Sequence, residues 1–218
     1  MIATRPRPMA GVRARAVPAS WLVVKRGMDV TIAGVALVGL SPLVALAAIG
    51  IVCASPGSPF FLQERVGKDG RPFKLFKLRT MFNGAHLDHD KMRALSEVDG
   101  PVLKIRNDPR LHALGKLLRR TSIDELPNLI NVLRGEMSIV GPRPPLPSEV
   151  ADYDEFARRR LTVKPGITCL WQIRGRNSLP FEQWMELDME YIDKWSIWLD
   201  LQILAQTIPA VLKGSGAA

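Results

Sequence analysis

Two adjacent carboxylates, Asp124 and Glu125, are bracketed by cations: Arg119 and Arg120 precede them, Arg134 and Arg143 follow. They lie in the stretch Thr121 to Pro144, TSIDELPNLINVLRGEMSIVGPRP. Two chemistries fit this arrangement. The first is structural. Ser122 with Glu125 three residues on has the spacing of a capping box, or Asp124 is itself the N-cap with Pro127 in the first helical turn. Acids at a helix start are also favoured by the macrodipole. The second is catalytic. Free N–H groups at a helix start bind phosphate. A carboxylate held there among arginines can attack a phosphorus atom or hold Mg²⁺ against a diphosphate.

The elements that must position this pair are legible as patterns. Leu126, Leu129, Ile130 and Leu133 follow helical spacing, so one face turns inward, and Gly135 is placed to stop the helix. Upstream, Arg110 to Arg120 reads as a basic amphipathic helix with Leu111, Leu114, Leu117 and Leu118 on its inner face. Phe60 to Met81 reads as two strands joined at Lys68-Asp69-Gly70-Arg71, because Asp-Gly is a hairpin turn signal. Lys77 and Arg79 share a face of the second strand, either a solvated edge or one turned toward phosphate. Between these elements, Asn83 to Gly100 reads as a polar helix with a loop, and Asp108-Pro109 begins a turn. Tyr153 to Arg160 reads as a charged helix with Arg158, Arg159 and Arg160 facing solvent or lipid headgroups. Lys164 to Asn177 is loop and short strand, and helices are expected over Glu182–Lys194 and Trp198–Leu212. Trp184, Trp195, Trp198 and Tyr191 suit either an interfacial aromatic belt or core packing.

The chain has 218 residues and a formal net charge of +9, so its partners are anionic: nucleic acid, a membrane surface or phosphorylated substrates. No helix-turn-helix or RNA-binding signature supports nucleic acid. Cys53 and Cys169 are too few for a metal cluster and read as reduced thiols. Residues 1–20, with Arg5, Arg7, Arg13, Arg15 and no acid, have the composition of a disordered basic tail. Val30 to Ala54 then contains no charged residue. As a straight helix this run is about 37 Å long, enough for a bilayer. Ser41-Pro42 interrupts it, and the serine hydroxyl can take up a carbonyl that proline leaves free. Basic residues flank both ends, which places both ends on the cytoplasmic side. The expectation is a helix–break–helix hairpin over about residues 26–54 that dips into one leaflet and returns. A kinked single crossing and a fully buried core helix are the alternatives.

With these blocks in view, the chain resembles the bacterial sugar transferases, the monotopic phosphoglycosyl transferases that begin glycan assembly on a polyprenol phosphate. The resemblance runs from about residue 21 to the C-terminus. It is carried by Lys25-Arg26 with Asp29, Ser41-Pro42, the block from Phe73 to Met81, Asp108-Pro109-Arg110, Ser122 to Pro127, Gly141-Pro142-Arg143-Pro144, Lys164 to Thr168, Gly175-Arg176-Asn177, and Asp188, Tyr191, Trp195 and Asp200.

The resemblance implies a helix-rich, mixed α/β fold with few short strands. A re-entrant membrane helix anchors a small cytoplasmic globular part, about residues 55–218, with amphipathic helices at the inner-membrane interface. It implies Asp124 as nucleophile toward the β-phosphate of a UDP-sugar and Glu125 as a Mg²⁺ ligand. Lys77, Arg79, Arg119 and Arg143 are implied as phosphate contacts. UMP would leave, and undecaprenyl phosphate would accept the sugar phosphate. The C-terminal pattern is similar to exopolysaccharide-initiating members, which points to galactose or glucose. Cys169 stands where the family usually has glycine, and would be strained if that position needs positive φ. A short, core-only form is expected, working alone or as a homodimer. The competing reading is a non-catalytic basic scaffold of the same fold on a membrane surface.

Overall fold

The computed structural model of the chain describes residues 17–85, 105, 108–175 and 179–212. Residues 1–16 of the expected tail, most of the expected polar helix after Asn83, and Arg176 and Asn177 lie outside the described residues.

The apolar run forms one long helix, α1 (Ala19–Ala54), with Pro42 inside it. No interruption separates two helices at Ser41-Pro42. Proline lacks the N–H that would bond the carbonyl four residues back. That carbonyl belongs to Val38, and the Ser41 hydroxyl donates to it at 2.8 Å. The hydroxyl thus satisfies the freed acceptor, as the sequence led us to expect.

Two separate stretches of α1 pack on the rest of the molecule. Toward the N-terminus, Ala33 joins the main core with Phe73, Leu75, Leu129, Val132, Tyr191 and Ile203. Toward the C-terminus, Ala47 and Ile51 join a second cluster with Leu78 and Leu118. Residues 38–43 between them are exposed throughout. The first stretch is also fixed by polar groups. Lys25 pairs with Asp200 at 2.6 Å, Asp29 accepts from the Ile139 N–H and the Ser138 hydroxyl, and Arg26 donates to the carbonyls of Val132 and Leu133.

Strands β1 (Phe60–Val66) and β2 (Pro72–Leu78) form the expected antiparallel hairpin, with Phe61 opposite Lys77 and Arg65 opposite Phe73. Asp69 and Gly70 take positive φ at its turn, which suits their residue types. Helix α2 (Ala113–Thr121) follows. Leu118 is buried, but Leu117 is 54% exposed, so the inner face is narrower than the leucine pattern implied. Gly115 lets α2 meet the end of the hairpin, since a Cβ there would lie 1.9 Å from the Thr80 carbonyl oxygen.

Helix α3 (Asn128–Arg134) ends at Gly135, whose φ of 82° makes it the stop read from the sequence. Its buried face is Asn128, Leu129, Asn131 and Val132, turned from the expected one. Asn131 explains the rotation. Its amide donates to the Lys74 carbonyl and accepts from the Phe76 N–H, so it satisfies the open edge of β2. A second, parallel pair joins β3 (Ser138–Val140) to β4 (Gly166–Thr168). The remaining helices are α4 (Pro147–Ala151), α5 (Glu155–Arg158), α6 (Leu170–Arg174), α7 (Phe181–Lys194) and α8 (Ile197–Leu212). The fold is therefore helix-rich and mixed α/β.

One local expectation is corrected and two open readings are decided. Arg160 is buried rather than solvent-facing, because it pairs with Asp188 at 2.7 Å and donates to the Tyr153 hydroxyl. Trp184 and Tyr191 belong to the core, with Trp184 stacked on Trp171. Trp198, 68% exposed, is the member of that aromatic set open to a surface. Cys169 has φ −152°, an extended conformation that any residue adopts, so the departure from glycine brings no strain.

Candidate active site

The carboxylate pair sits on a short 3₁₀ turn, Ile123–Glu125, wedged between α2 and α3. Ser122 takes a left-handed conformation (φ 57°) and ends α2. That reversal replaces the expected capping box. Ser122 makes no side-chain cap, and α3 begins three residues beyond Glu125 with no side-chain cap of its own. The acids therefore have no helix-capping duty.

Around them the fold assembles cations from three directions. From the hairpin, Lys77 Nζ meets Glu125 Oε1 at 2.7 Å. From α2, Arg119 donates through Nε to the Thr80 hydroxyl at 3.1 Å, and its charge acts on Asp124. From the proline-rich turn after β3, the charge of Arg143 acts on Glu125. Arg143 itself lies 3.2 Å from buried Glu149.

That turn is held by its carbonyls. Proline at positions 142, 144 and 145 removes three N–H donors, and four consecutive carbonyls accept from three separate segments. Pro142 accepts from Gly166 N–H, Arg143 from the Arg160 guanidinium, Pro144 from the Arg65 guanidinium, and Pro145 from Val66 N–H, at 2.9–3.0 Å.

Arg65 was missed from the sequence. It is buried, bonded also to Gln63 Oε1, and close enough for its charge to act on Glu125. Burial foremost, and then the neighbouring Arg143, lowers its guanidinium to about 9. Hairpin register was the available signal: alternation places Arg65 on the same face as Lys77. Glu149 and Arg160, which brace Arg143, had no comparable signal.

The sequence-predicted residues divide accordingly. Asp124, Glu125, Lys77, Arg119 and Arg143 come together. Arg79 turns elsewhere, donating to the carbonyls of Ser55 and Pro56 just after α1. Ser41 and Pro42 lie in the exposed middle of α1.

The two acids have different electrostatic characters. Asp124 is 7% exposed. Burial raises its carboxyl to about 6, with the charge of Glu125 adding and those of Lys77 and Arg119 opposing. Burial also works against ionised Glu125, but Lys77, by charge and hydrogen bond, and then Arg143 and Arg65 outweigh it and lower that carboxyl. Glu125 is thus a fixed anion, and Asp124 is a desolvated carboxylate still ionised at neutral pH. Two such carboxylates suit Mg²⁺, a hard cation that takes one or two protein carboxylates and completes its shell with phosphate and water oxygens. They do not suit an all-protein cage, and among the described residues no group of three or more His, Cys, Asp or Glu could hold a metal.

Residues 20–214 match the bacterial sugar transferase family. Galactosyl transferase CpsE of Streptococcus agalactiae is 42% identical over 91% of this chain and 44% of its own length. Exopolysaccharide production protein ExoY of Sinorhizobium fredii is 42% identical over 88% of this chain and 87% of its own. A UDP-glucose:undecaprenyl-phosphate glucose-1-phosphate transferase of Xanthomonas campestris is 39% identical over 88% of this chain and 39% of its own. The chain thus spans most of ExoY and less than half of the other two. It belongs to the bacterial sugar transferase family.

Proposed function

We propose that this chain transfers a hexose 1-phosphate from a UDP-hexose to undecaprenyl phosphate and releases UMP, as the first membrane step of exopolysaccharide or other glycan assembly. Its reaction class is phosphoglycosyl transfer. The observation that carries the reading is a buried carboxylate, Asp124, on which the charges of Lys77 and Arg119 act, beside a second acid, Glu125, on which those of Lys77, Arg143 and Arg65 act. Desolvation leaves an ionised carboxylate reactive, and the surrounding cations offset the charge of a diphosphate.

In the first displacement an Asp124 oxygen bonds to the β-phosphorus of the donor. The bond from that phosphorus to the bridging oxygen breaks, and UMP departs with the electron pair. In the second, an oxygen of the lipid phosphate bonds to the same phosphorus and the Asp124 oxygen leaves, restoring the carboxylate. Lys77 and Arg119 orient the donor phosphates, and Arg143, whose charge acts on Glu125, adds to the charge that offsets them. Glu125, with Asp124, would hold Mg²⁺, which supplies charge neutralisation at the diphosphate.

The acceptor requires a site at a membrane. Residues 38–43 of α1 are exposed and apolar apart from Ser41, while both flanks pack on the same globular body. A bilayer-crossing helix would carry one flank to the far side. This favours a re-entrant path with both ends, and the active site, on the cytoplasmic face of the inner membrane.

The test is UMP release from a panel of UDP-sugars, with purified protein, Mg²⁺ and undecaprenyl phosphate. Lipid-dependent release from UDP-galactose or UDP-glucose is the expected result. Release from no donor, or release indifferent to the lipid, would contradict the reading.

A further inference from the structure

The hairpin carries an apolar feature that the donor chemistry does not use. Phe61 is 39% exposed, and it stands directly across from Lys77, the residue bonded to Glu125. Side chains of directly opposed strand residues lie on one face, with Cβ atoms roughly 4.5–5.5 Å apart. An exposed phenyl ring is therefore set at the lip of a strongly charged site.

The row containing Phe61 leads toward the membrane helix. Strand alternation puts Pro59 on the same side as Phe61, and the pairing continues that far because Arg79 N–H donates to the Pro59 carbonyl. Arg79 also ties this end of the hairpin to the carbonyls of Ser55 and Pro56, at the end of α1. Pro59 lines an apolar groove of about 300 Å³ with Ala48, Ile49, Val52 and Cys53 of α1. The order of features is then the Lys77–Glu125 pair, Phe61, Pro59, and the exposed apolar surface of α1.

We propose that Phe61, Pro59 and this groove seat the first isoprenoid units of the lipid acceptor, so that its phosphate is delivered beside Lys77. The inference rests on the acceptor being a polyprenyl phosphate. Such a molecule changes from dianion to hydrocarbon within one bond, and this strip makes the same change within one cross-strand pair. Phe61 is thus a determinant of acceptor binding. It plays no part in the phosphorus chemistry.

Two experiments on the full chain test it. Phe61→Ser should raise the KM for undecaprenyl phosphate about tenfold and leave the KM for the UDP-sugar unchanged, while Phe61→Leu should stay near the wild type. An unchanged lipid KM in Phe61→Ser, or equal losses toward donor and lipid, would overturn the assignment. Independently of turnover, a photoreactive prenyl phosphate should label the segment 59–63 in competition with undecaprenyl phosphate. Labelling elsewhere, or no competition, would overturn it even in a protein that turns over. A wild type that labels at 59–63 but releases no UMP would instead count against the proposed reaction.

Discussion

Asp124 is placed where its ionisation is costly, and that cost has a sign that can be measured. Its carboxyl is raised to about 6, chiefly by burial, above an unfolded value near 3.9. A raised folded-state value means the protonated form is favoured on folding. The associated stability is fully present below about pH 4 and lost as pH rises through about 6. Asp124→Asn should therefore melt higher than the wild type at neutral pH, by on the order of 1–3 kcal/mol. The advantage should vanish near pH 4, in thermal melts recorded in detergent. The same substitution should abolish turnover. A variant less stable at pH 7.5 would contradict the desolvation account. In the wild type, protonation should suppress the nucleophile, so the rate should fall as pH drops through about 6. A rate flat to about pH 5 would separate Asp124 from the rate-limiting chemistry. The acids and most of their cations were legible from residue type and spacing. Arg65 was not, because it is remote in sequence and enters only through hairpin register. Arg79 shows the converse: sharing a strand face with Lys77 did not keep the two side chains together, since unpaired carbonyls after α1 attract the guanidinium.

At the scale of elements, the site is held by close approaches and by bonds to the backbone. Gly115→Ala would drive a Cβ into the Thr80 carbonyl and push α2, with Arg119, away from the hairpin. We expect a loss of about 1–3 kcal/mol in chemical denaturation, together with weaker donor binding. Stability within about 0.5 kcal/mol of wild type would show that α2 shifts freely. Arg65→Met would leave the Pro144 carbonyl without its donor and release the turn that carries Arg143. Its expected signature is a fall in kcat of at least tenfold with the protein still folded, because an ill-placed charge is felt most in the transition state. The hairpin, the stop at Gly135 and the helical regions were readable from turn chemistry and apolar period. The rotation of α3 was not, since Asn131 reads as polar until an open strand edge is there to satisfy it. The capping reading failed for a related reason: the left-handed Ser122 ends one helix at the point where a cap would begin the next.

At the scale of the whole molecule, α1 is joined to the globular body at both ends. Lys25, Arg26 and Asp29 fix one flank, while Ala47 and Ile51 pack the other beneath Leu78 and Leu118. Ile123, next to Asp124, packs against that second cluster, so α1 and the carboxylate pair share a support. Cysteines introduced at positions 20 and 60 should both be labelled from the cytoplasmic side, and opposite sidedness would show a single crossing. The apolar length and the basic flanks of this helix were evident in sequence. Its attachment was not, because the partners of Lys25 and Asp29 lie more than a hundred residues away. The central claim is that Asp124 carries the sugar phosphate between a soluble donor and a lipid. The most direct measurement is peptide mass spectrometry of the full chain quenched after mixing with a UDP-hexose and Mg²⁺ in the absence of lipid. We predict a hexose-phosphate adduct on the peptide containing Asp124, discharged by undecaprenyl phosphate and absent from Asp124→Asn. Lipid-dependent UMP release with no adduct, or an adduct that persists in Asp124→Asn, would contradict the account.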